Sequence, residues 1–467
     1  MISLGAILTY TCLHERRTKC REKVKNAAKL ARGLLFDICA NLIDYLKNIL
    51  SSKHFVNRHK NAPKDFTRSR KLPFQILVLF LINFVKGSYQ DELDHFFKAW
   101  LNLEVAFHFV SKMALSKARM KLKYSAFVEL NQHLVEYFYG HFKHNTWCGF
   151  NLLAVDGSTL KLLKFKDIKT HFGEMEPSNG EACPMARVSQ LFDVLNKLTV
   201  DAIISPYHVG ERELMKQHLL KLLPNDLLLL DRGYPSYWIF NLILSLDGHF
   251  CARISRQWQI VREFIKSGCK EAIINLKPSF VSKNESLEMG LDTSPLRLRL
   301  IRIELDSGEV EVLITSLTDS ETYPHDILMN LYHKRWPVEE DYKIMKTRIE
   351  VGNFSGKSAL SVYQDFYAKV FAKNLTSVLA FPANAIVKKK NEGNKHDRQI
   401  NFTQAISKSK DTIILLFERS RDVVLDLITQ LHAVFISATE PIRPGRKFER
   451  NHKMHTRAFY MNYKPCR

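Results

Sequence analysis

No pair of cysteines in this chain has Cys-x-x-Cys spacing. The eight cysteines, Cys12, Cys20, Cys39, Cys148, Cys183, Cys251, Cys269 and Cys466, are scattered over 467 residues. A structural zinc site therefore has no support, and free thiols in a reducing cytosol are the simplest reading. Long hydrophobic runs are also missing. The longest, Leu72 to Val85, is interrupted by Pro73, Gln75 and Asn83 and falls short of the ~20 apolar residues that span a bilayer. Met1 to Leu13 has neither the basic stretch nor the small-residue cleavage site of a signal peptide. No internal repeat occurs. A membrane-resident, secreted or metal-stapled protein is disfavoured at the outset.

Acidic residues are in deficit: 48 Asp and Glu face 69 Lys and Arg, for a net charge of +21. Such an excess favours a polyanionic partner, nucleic acid ahead of an anionic membrane surface or a merely soluble basic protein. Hydrophobic residues make up 46% of the chain, enough for a substantial core and more than one domain.

Periodicity divides the chain. Residues 14–50 read as a basic helix, followed by a connector from Ser51 to Pro73. Helical segments run from Phe74 to Val85, Gln90 to Leu101 and Ser111 to Tyr139. From Asn151 the pattern changes to mixed α/β. A short apolar strand ends at Asp156, and a hairpin spans Ser189 to Ser205. An amphipathic helix, Glu211 to Leu223, leads to a strand, Leu227 to Leu230. A helix from Pro235 to Leu246 and a strand from His249 to Ile254 complete this part. Residues 255–322 carry strand signals, with a hairpin turn at Asp306-Ser307-Gly308-Glu309. Helix returns from Tyr323 to about Leu379, with Pro337 inside it. Lys388 to Asp397 reads as a loop and Asp411 to Ala433 as a helix. The tail from Pro441 to Arg467 is basic and aromatic.

Three acids stand out. Asp156 and Asp231 each follow an apolar strand, where rigid backbone presents side chains to solvent. Each has a plainer reading, as a turn residue or a helix cap. The third comes from Tyr332, Arg335, Glu339 and Lys346, which share one face if the helix is continuous. Cations flanking a carboxylate suit a phosphate backbone, the cations gripping oxygens while the acid holds metal. Pro337 fits best in the first turn of a new helix, which would move Tyr332 and Arg335 to a preceding segment. Glu340 and Asp341 compete with Glu339, and a solvated helix face is the bland alternative. Strand cleavage at phosphorus uses two magnesium ions about 3.5–4 Å apart, held mostly by carboxylates, phosphate and water.

The segments Ala154-Val155-Asp156-Gly157-Ser158 and Leu230-Asp231-Arg232-Gly233-Tyr234, with the Tyr332, Arg335, Glu339, Lys346 spacing, resemble the signature regions of bacterial DDE transposases of the insertion-sequence-four type. The similarity extends to Gln190 to Asp201, Glu211-Arg212-Glu213, Asn374-Leu375, Phe66-Thr67-Arg68, Ser111 to Leu122, Phe127 to Tyr139 and Arg443 to Lys447. The resemblance implies an α/β, RNase H-like mixed-sheet catalytic core with a β-rich insertion and helical N- and C-terminal regions. It divides the chain into a helical DNA-binding region (1–145), a first core part (146–254), the insertion (255–322), core helices carrying the Glu (323–385) and a basic region for DNA contact or dimerisation (386–467). It implies Asp156, Asp231 and Glu339 as catalytic metal ligands, with Tyr332, Arg335 and Lys346 on DNA. Two magnesium ions, replaceable by manganese, are expected. So is cut-and-paste transposition of an insertion sequence between terminal repeats and target DNA, by a homodimer in the bacterial cytoplasm at the nucleoid. Some members hold a flipped base on an aromatic of the insertion; Trp258 is a candidate, with a core or edge role the plainer reading. The alternatives are a catalytically silent DNA-binding descendant and a related nuclease that does not rejoin.

Overall fold

The computed structural model describes residues 34–68, 70–176, 181–305, 308–443 and Lys464. They form two compact units, one from the described residues of Met1–Phe142 and Phe371–Arg467, the other Lys143–Val370. The readings for residues 14–33, for the turn residues Asp306 and Ser307, and for most of the basic tail lie outside the described residues.

The first unit opens with helices α1 (Leu34–Ser51), α2 (Lys53–His59), α3 (Phe74–Ile82), α4 (Tyr89–Leu101), α5 (Lys112–Arg119) and α6 (Ser125–His141). Ser52 starts α2 by accepting from the Phe55 amide at 3.1 Å, so the expected connector contains a helix. The expected single helix from Ser111 to Tyr139 is two, because Leu122 leaves the helical path to form a β-bridge with Lys60. On α4, Leu93, Phe96 and Phe97 are buried as their helical spacing requires. Phe80 and Phe96 meet edge to face at 5.6 Å.

The second unit is built on a nine-stranded sheet. Its elements are β1 (Asn151–Lys161), α7 (Lys166–Phe172), β2 (Glu174–Met175), β3 (Cys183–Asp193), β4 (Leu198–Pro206), α8 (Glu211–Leu219), β5 (Asp226–Leu230), α9 (Tyr237–Ser245), β6 (His249–Ile254), α10 (Gln259–Ser267), β7 (Glu271–Leu276), α11 (Phe280–Glu288), β8 (Leu296–Glu304), β9 (Val310–Thr315), α12 (His325–His333), α13 (Pro337–Thr347) and, up to Val370, the start of α14 (Ala359–Lys390), whose remainder from Phe371 belongs to the first unit. β3 lies antiparallel to both β4 and β1, and β5 and β6 then run parallel to β1. That order and sense, β4-β3-β1-β5-β6, is the RNase H-like core. The expected hairpin is β3–β4, turned at Lys197 with φ 56°; the Asp193 carboxylate accepts the Leu195 and Asn196 amides. The β-rich insertion extends the same sheet: β9 pairs antiparallel with β6, then β8 and β7 follow.

Strand alternation separates two apolar layers. Leu153, Val155, Leu228, Leu230, Phe250 and Ala252 pack into one cluster with Met215 and Ile239. Leu152, Ala154, Leu227, Leu229 and Cys251 pack into the other with Leu328, Leu331 and Val338. One face of the sheet thus carries α8 and α9, the other α12 and the start of α13.

The expected long helix from Tyr323 is three helices. Pro337 sits in the first turn of α13, where its missing N–H costs nothing. A turn through Glu350, at φ 55°, separates α13 from α14. α14 runs through the expected start of the Lys388 loop, to Lys390. It is long and apolar enough to cross a membrane, but 78% of its apolar window is buried inside the protein, the pattern of a core helix. It is followed in the first unit by β10 (Arg398–Ile400), α15 (Phe402–Ser409), α16 (Thr412–Glu418), α17 (Arg421–Ser437) and β11 (Thr439–Pro441), so the single helix expected over Asp411 to Ala433 is also divided. Five described cysteines are free thiols.

Candidate active site

Asp156 does not end its strand. β1 continues to Lys161 because Gly157 to Lys161 keep pairing with β3. The parallel partner, however, stops earlier. The β1–β5 ladder ends at Ala154 opposite Leu229, so continuing the register by two residues sets Asp156 beside Asp231. The β5–β6 ladder ends at Leu230 opposite Ala252, which sets Asp231 beside Arg253. Alternation sends all three side chains to the face that carries α12 and α13. Neighbouring strands lie about 4.8 Å apart, so three charged groups occupy adjacent positions along one sheet end.

Helices α12 and α13 close over that end. Tyr332, in the last turn of α12, donates its hydroxyl to Asp231 Oδ1 at 3.2 Å. Arg335 lies in the turn before α13 and donates Nη2 to Glu339 Oε1 at 2.5 Å. Lys346 Nζ donates to Ser158 Oγ at 2.6 Å, and the Tyr342 hydroxyl to the Asp156 carbonyl at 2.9 Å. Tyr332, Arg335, Glu339 and Lys346 do not share one continuous helix; the turn at Pro337 replaces it and still turns all four toward the sheet end. Of the competing acids, Glu340 is exposed and Asp341 is 5% exposed. Glu339, half-buried on Arg335, is the one whose charge reaches Asp156.

Burial pushes the Asp156 carboxyl up to about 6, against the Gly157 amide and the Arg335 cation, with Glu339 and Asp231 adding to the rise. Asp231 moves the other way. Burial opposes its charge, but the Arg232 amide and the cations of Arg253 and Arg335 outweigh it and hold the carboxyl below the usual range. The two acids are thereby set apart, one ready to take a proton near neutrality and one firmly ionised. Burial lowers the Lys346 ammonium, and Asp156 partly offsets that.

Hard carboxylate oxygens suit magnesium or manganese, and Asp156, Asp231 and Glu339 supply them in one neighbourhood. Among the described residues, though, no group of three or more His, Cys, Asp or Glu side chains is drawn tightly enough to hold an ion. Two of the three acids are instead bound to arginine: Glu339 to Arg335, and Asp231 to Arg253 at 2.9 Å. The donor set fits the metal, on condition that these guanidinium groups give way.

Arg253 is the residue that sequence reading missed. It is a cation among the apolar residues Phe250, Cys251, Ala252 and Ile254 of β6, on the same face as Cys251, and that interruption of an apolar run was its signal. It also pairs with Glu311 at 2.7 Å. Glu211, at the start of α8, lies behind the sheet end, where Arg187 holds it at 3.0 Å. Trp258 precedes α10 and packs half-buried against the cluster that contains Val261 and Phe264.

The family model described as Transposase DDE domain matches residues 147–406. Transposase InsG for insertion sequence element IS4, from Escherichia coli (strain K12), is 24% identical over 322 residues, covering 66% of this chain and 70% of that protein. Among solved structures, the cryo-EM structure of a piggyBac transposase synaptic complex with hairpin DNA shares 10% identity at a TM-score of 0.42, over 82% of this chain and 85% of that chain.

Proposed function

The chain belongs to the Transposase DDE domain family, and on that footing we propose that Asp156, Asp231 and Glu339 form the catalytic centre of a DNA transposase that cuts and rejoins the ends of an insertion sequence. These three side chains would hold magnesium, with manganese able to substitute. When bound, a divalent pair would supply Lewis-acid stabilisation of the charge that develops on the phosphate oxygens and an activated attacking oxygen. The protein's own groups do the rest. Arg335 and Lys346 bring positive charge to the phosphate oxygens on either side of the scissile bond. Tyr332 fixes the Asp231 carboxylate by its hydrogen bond. Tyr342 and Ser158 anchor α13 to β1, so that Glu339 is carried on a rigid element. Terminal-repeat and target DNA are the partners, a homodimer bridges two ends, and the site of action is the cytoplasm.

The observation that carries this reading is the register of β1, β5 and β6, which lines up Asp156, Asp231 and Arg253 beneath the helix bearing Glu339. The test is a magnesium-dependent cleavage assay on a duplex of the element's terminal repeat. Asp156→Asn, Asp231→Asn and Glu339→Gln should each reduce cleavage to background while repeat binding persists. Full cleavage by any one of them removes that residue from the centre.

A further inference from the structure

Beyond Ala154, β1 loses its β5 neighbour and is paired along one edge only, by β3. Asp156 lies in that half-supported stretch. Its main-chain carbonyl is held from both faces of the sheet. Tyr342 of α13 donates to it from one face at 2.9 Å. Ser189 of β3 reaches it from the other, Oγ to carbonyl oxygen at 3.4 Å.

Ser189 ends a chain of polar side chains. It pairs with Gly157 and so points away from the Asp156 face, toward α8. There its Oγ meets His218 Nε2 at 3.0 Å. His218 Nδ1 in turn meets Oδ2 of Asp201, on β4, at 2.8 Å. Ser189 is 1% exposed and His218 fully buried. Their neighbours along β1, β3 and α8, which are Val155, Leu191, Met215 and Leu219, belong to one apolar cluster. Polar groups buried in such a layer add little stability over apolar residues of the same shape. Their retention points to a use other than packing.

Serine, histidine and aspartate linked in this order have the connectivity of a nucleophilic triad. Burial excludes that role, since an attacking oxygen must reach a substrate and this one faces a backbone carbonyl. The Asp201 carboxylate, which can only accept, keeps a hydrogen on Nδ1 and fixes the plane of the ring. Nε2 is thereby aimed at Ser189 Oγ, and the hydroxyl is held between the ring and the Asp156 carbonyl. We propose that Asp201 and His218 act through Ser189 as positioning residues, fixing the backbone from which the Asp156 carboxylate is presented. The assignment rests on the transposase reading and deepens it. A reacting constellation must be held to within about 0.5 Å, and a strand paired along one edge needs this second support to do so.

The test uses the full chain and compares wild type with Ser189→Ala, Asp201→Ala, the double variant and Leu219→Val, which loosens α8 without touching the chain. Thermal melting is measured for each. Hydrogen exchange of the β1 segment is followed by mass spectrometry without metal or DNA. Single-turnover cleavage and affinity are measured on a terminal-repeat duplex at saturating magnesium. Ser189→Ala and Asp201→Ala should each speed exchange around Asp156 and slow cleavage, both by about tenfold or more, with duplex affinity unchanged. The double variant should match Ser189→Ala alone, because Asp201 acts only through that hydroxyl. Leu219→Val should lower the melting temperature and leave both rates near wild type. Unchanged exchange and cleavage in Ser189→Ala would overturn the proposal. So would losses that multiply in the double variant, or a Leu219→Val protein slowed as much as Ser189→Ala at an equal loss of melting temperature. A wild type that cleaves no terminal repeat would overturn the transposase reading itself, which separates the two failures.

Discussion

Arg253 Nη2 donates to Asp231 Oδ1 at 2.9 Å while its Nη1 donates to Glu311 Oε1 at 2.7 Å. One guanidinium thus occupies the carboxylate proposed as a metal ligand. It keeps Asp231 ionised, which a metal needs, yet it also fills the space and supplies the charge that a metal would. Arg253→Gln should remove the competitor. Manganese binding, followed by calorimetry at pH 7.5, is then expected to tighten several-fold, on the order of 1 kcal/mol for a partly exposed pair. Unchanged or weaker binding would show that Arg253 supports the ligand geometry and does not compete for it.

Asp156 should make the protein less stable as pH rises. Its carboxyl is pushed up to about 6 in the fold, mainly by burial, against an ordinary value near 4. Between those values the native state binds more protons than the unfolded chain, so unfolding free energy falls with increasing pH. Asp156→Asn is neutral throughout and escapes the penalty. Without metal, its advantage over wild type should be absent below about pH 4, grow to about pH 6 and stay level above, reaching about 1–3 kcal/mol at most. Urea titrations at pH 4 and pH 8 measure it. A constant difference at both pH values would contradict the assigned shift.

The same site shows what the amino-acid pattern made legible. Apolar runs marked β5 and β6 closely, since Leu227 to Leu230 and the His249 to Ile254 segment are buried on both faces. Asp-Gly suggested a turn after Asp156, but Ser158 and Thr159 have β3 partners, and tertiary pairing overrode the local signal. The Tyr332 to Lys346 spacing found the right residues by way of a helix that is in fact interrupted, because Pro337 lies where a new helix begins. Short elements such as α7 and β7 went unread. Each has an exposed face and few buried residues, so neither leaves a strong periodicity. Register between strands far apart in sequence, which places Arg253 on Asp231, has no local signature at all.

Gly157 illustrates a constraint on the reverse face of β1. A Cβ added there would stand 3.0 Å from Glu211 Cδ and 3.1 Å from its Oε1. Glu211 can swing away, but only by giving up Arg187 Nη1 at 3.0 Å. Gly157→Ala should therefore cost about 1 kcal/mol. In a double-mutant cycle with Glu211→Ala the cost should largely disappear, since the side chain that obstructs the methyl is gone. An equal cost in both backgrounds would place the strain in the β1 backbone.

Tyr234 offers the clearest case of stability held in reserve. Its side chain is 3% exposed, and its hydroxyl is buried with no hydrogen-bond partner. Glu211, Asp156 and Asp231 all lie close enough to oppose its ionisation, after burial itself. A buried hydroxyl without a partner costs about 1–3 kcal/mol, and replacing it by an apolar group of the same shape removes that cost. Tyr234→Phe keeps the ring in the cluster with Leu153, Val155 and Leu230. Its midpoint in urea should rise, equivalent to about 1 kcal/mol, with the m-value unchanged. A fall in midpoint would mean that the hydroxyl is bonded in solution, through a water or through a carboxylate that turns toward it. In that event the Phe variant should also shift the pH dependence of stability assigned to Asp156, because a donor lost from beside that acid would raise its proton affinity further.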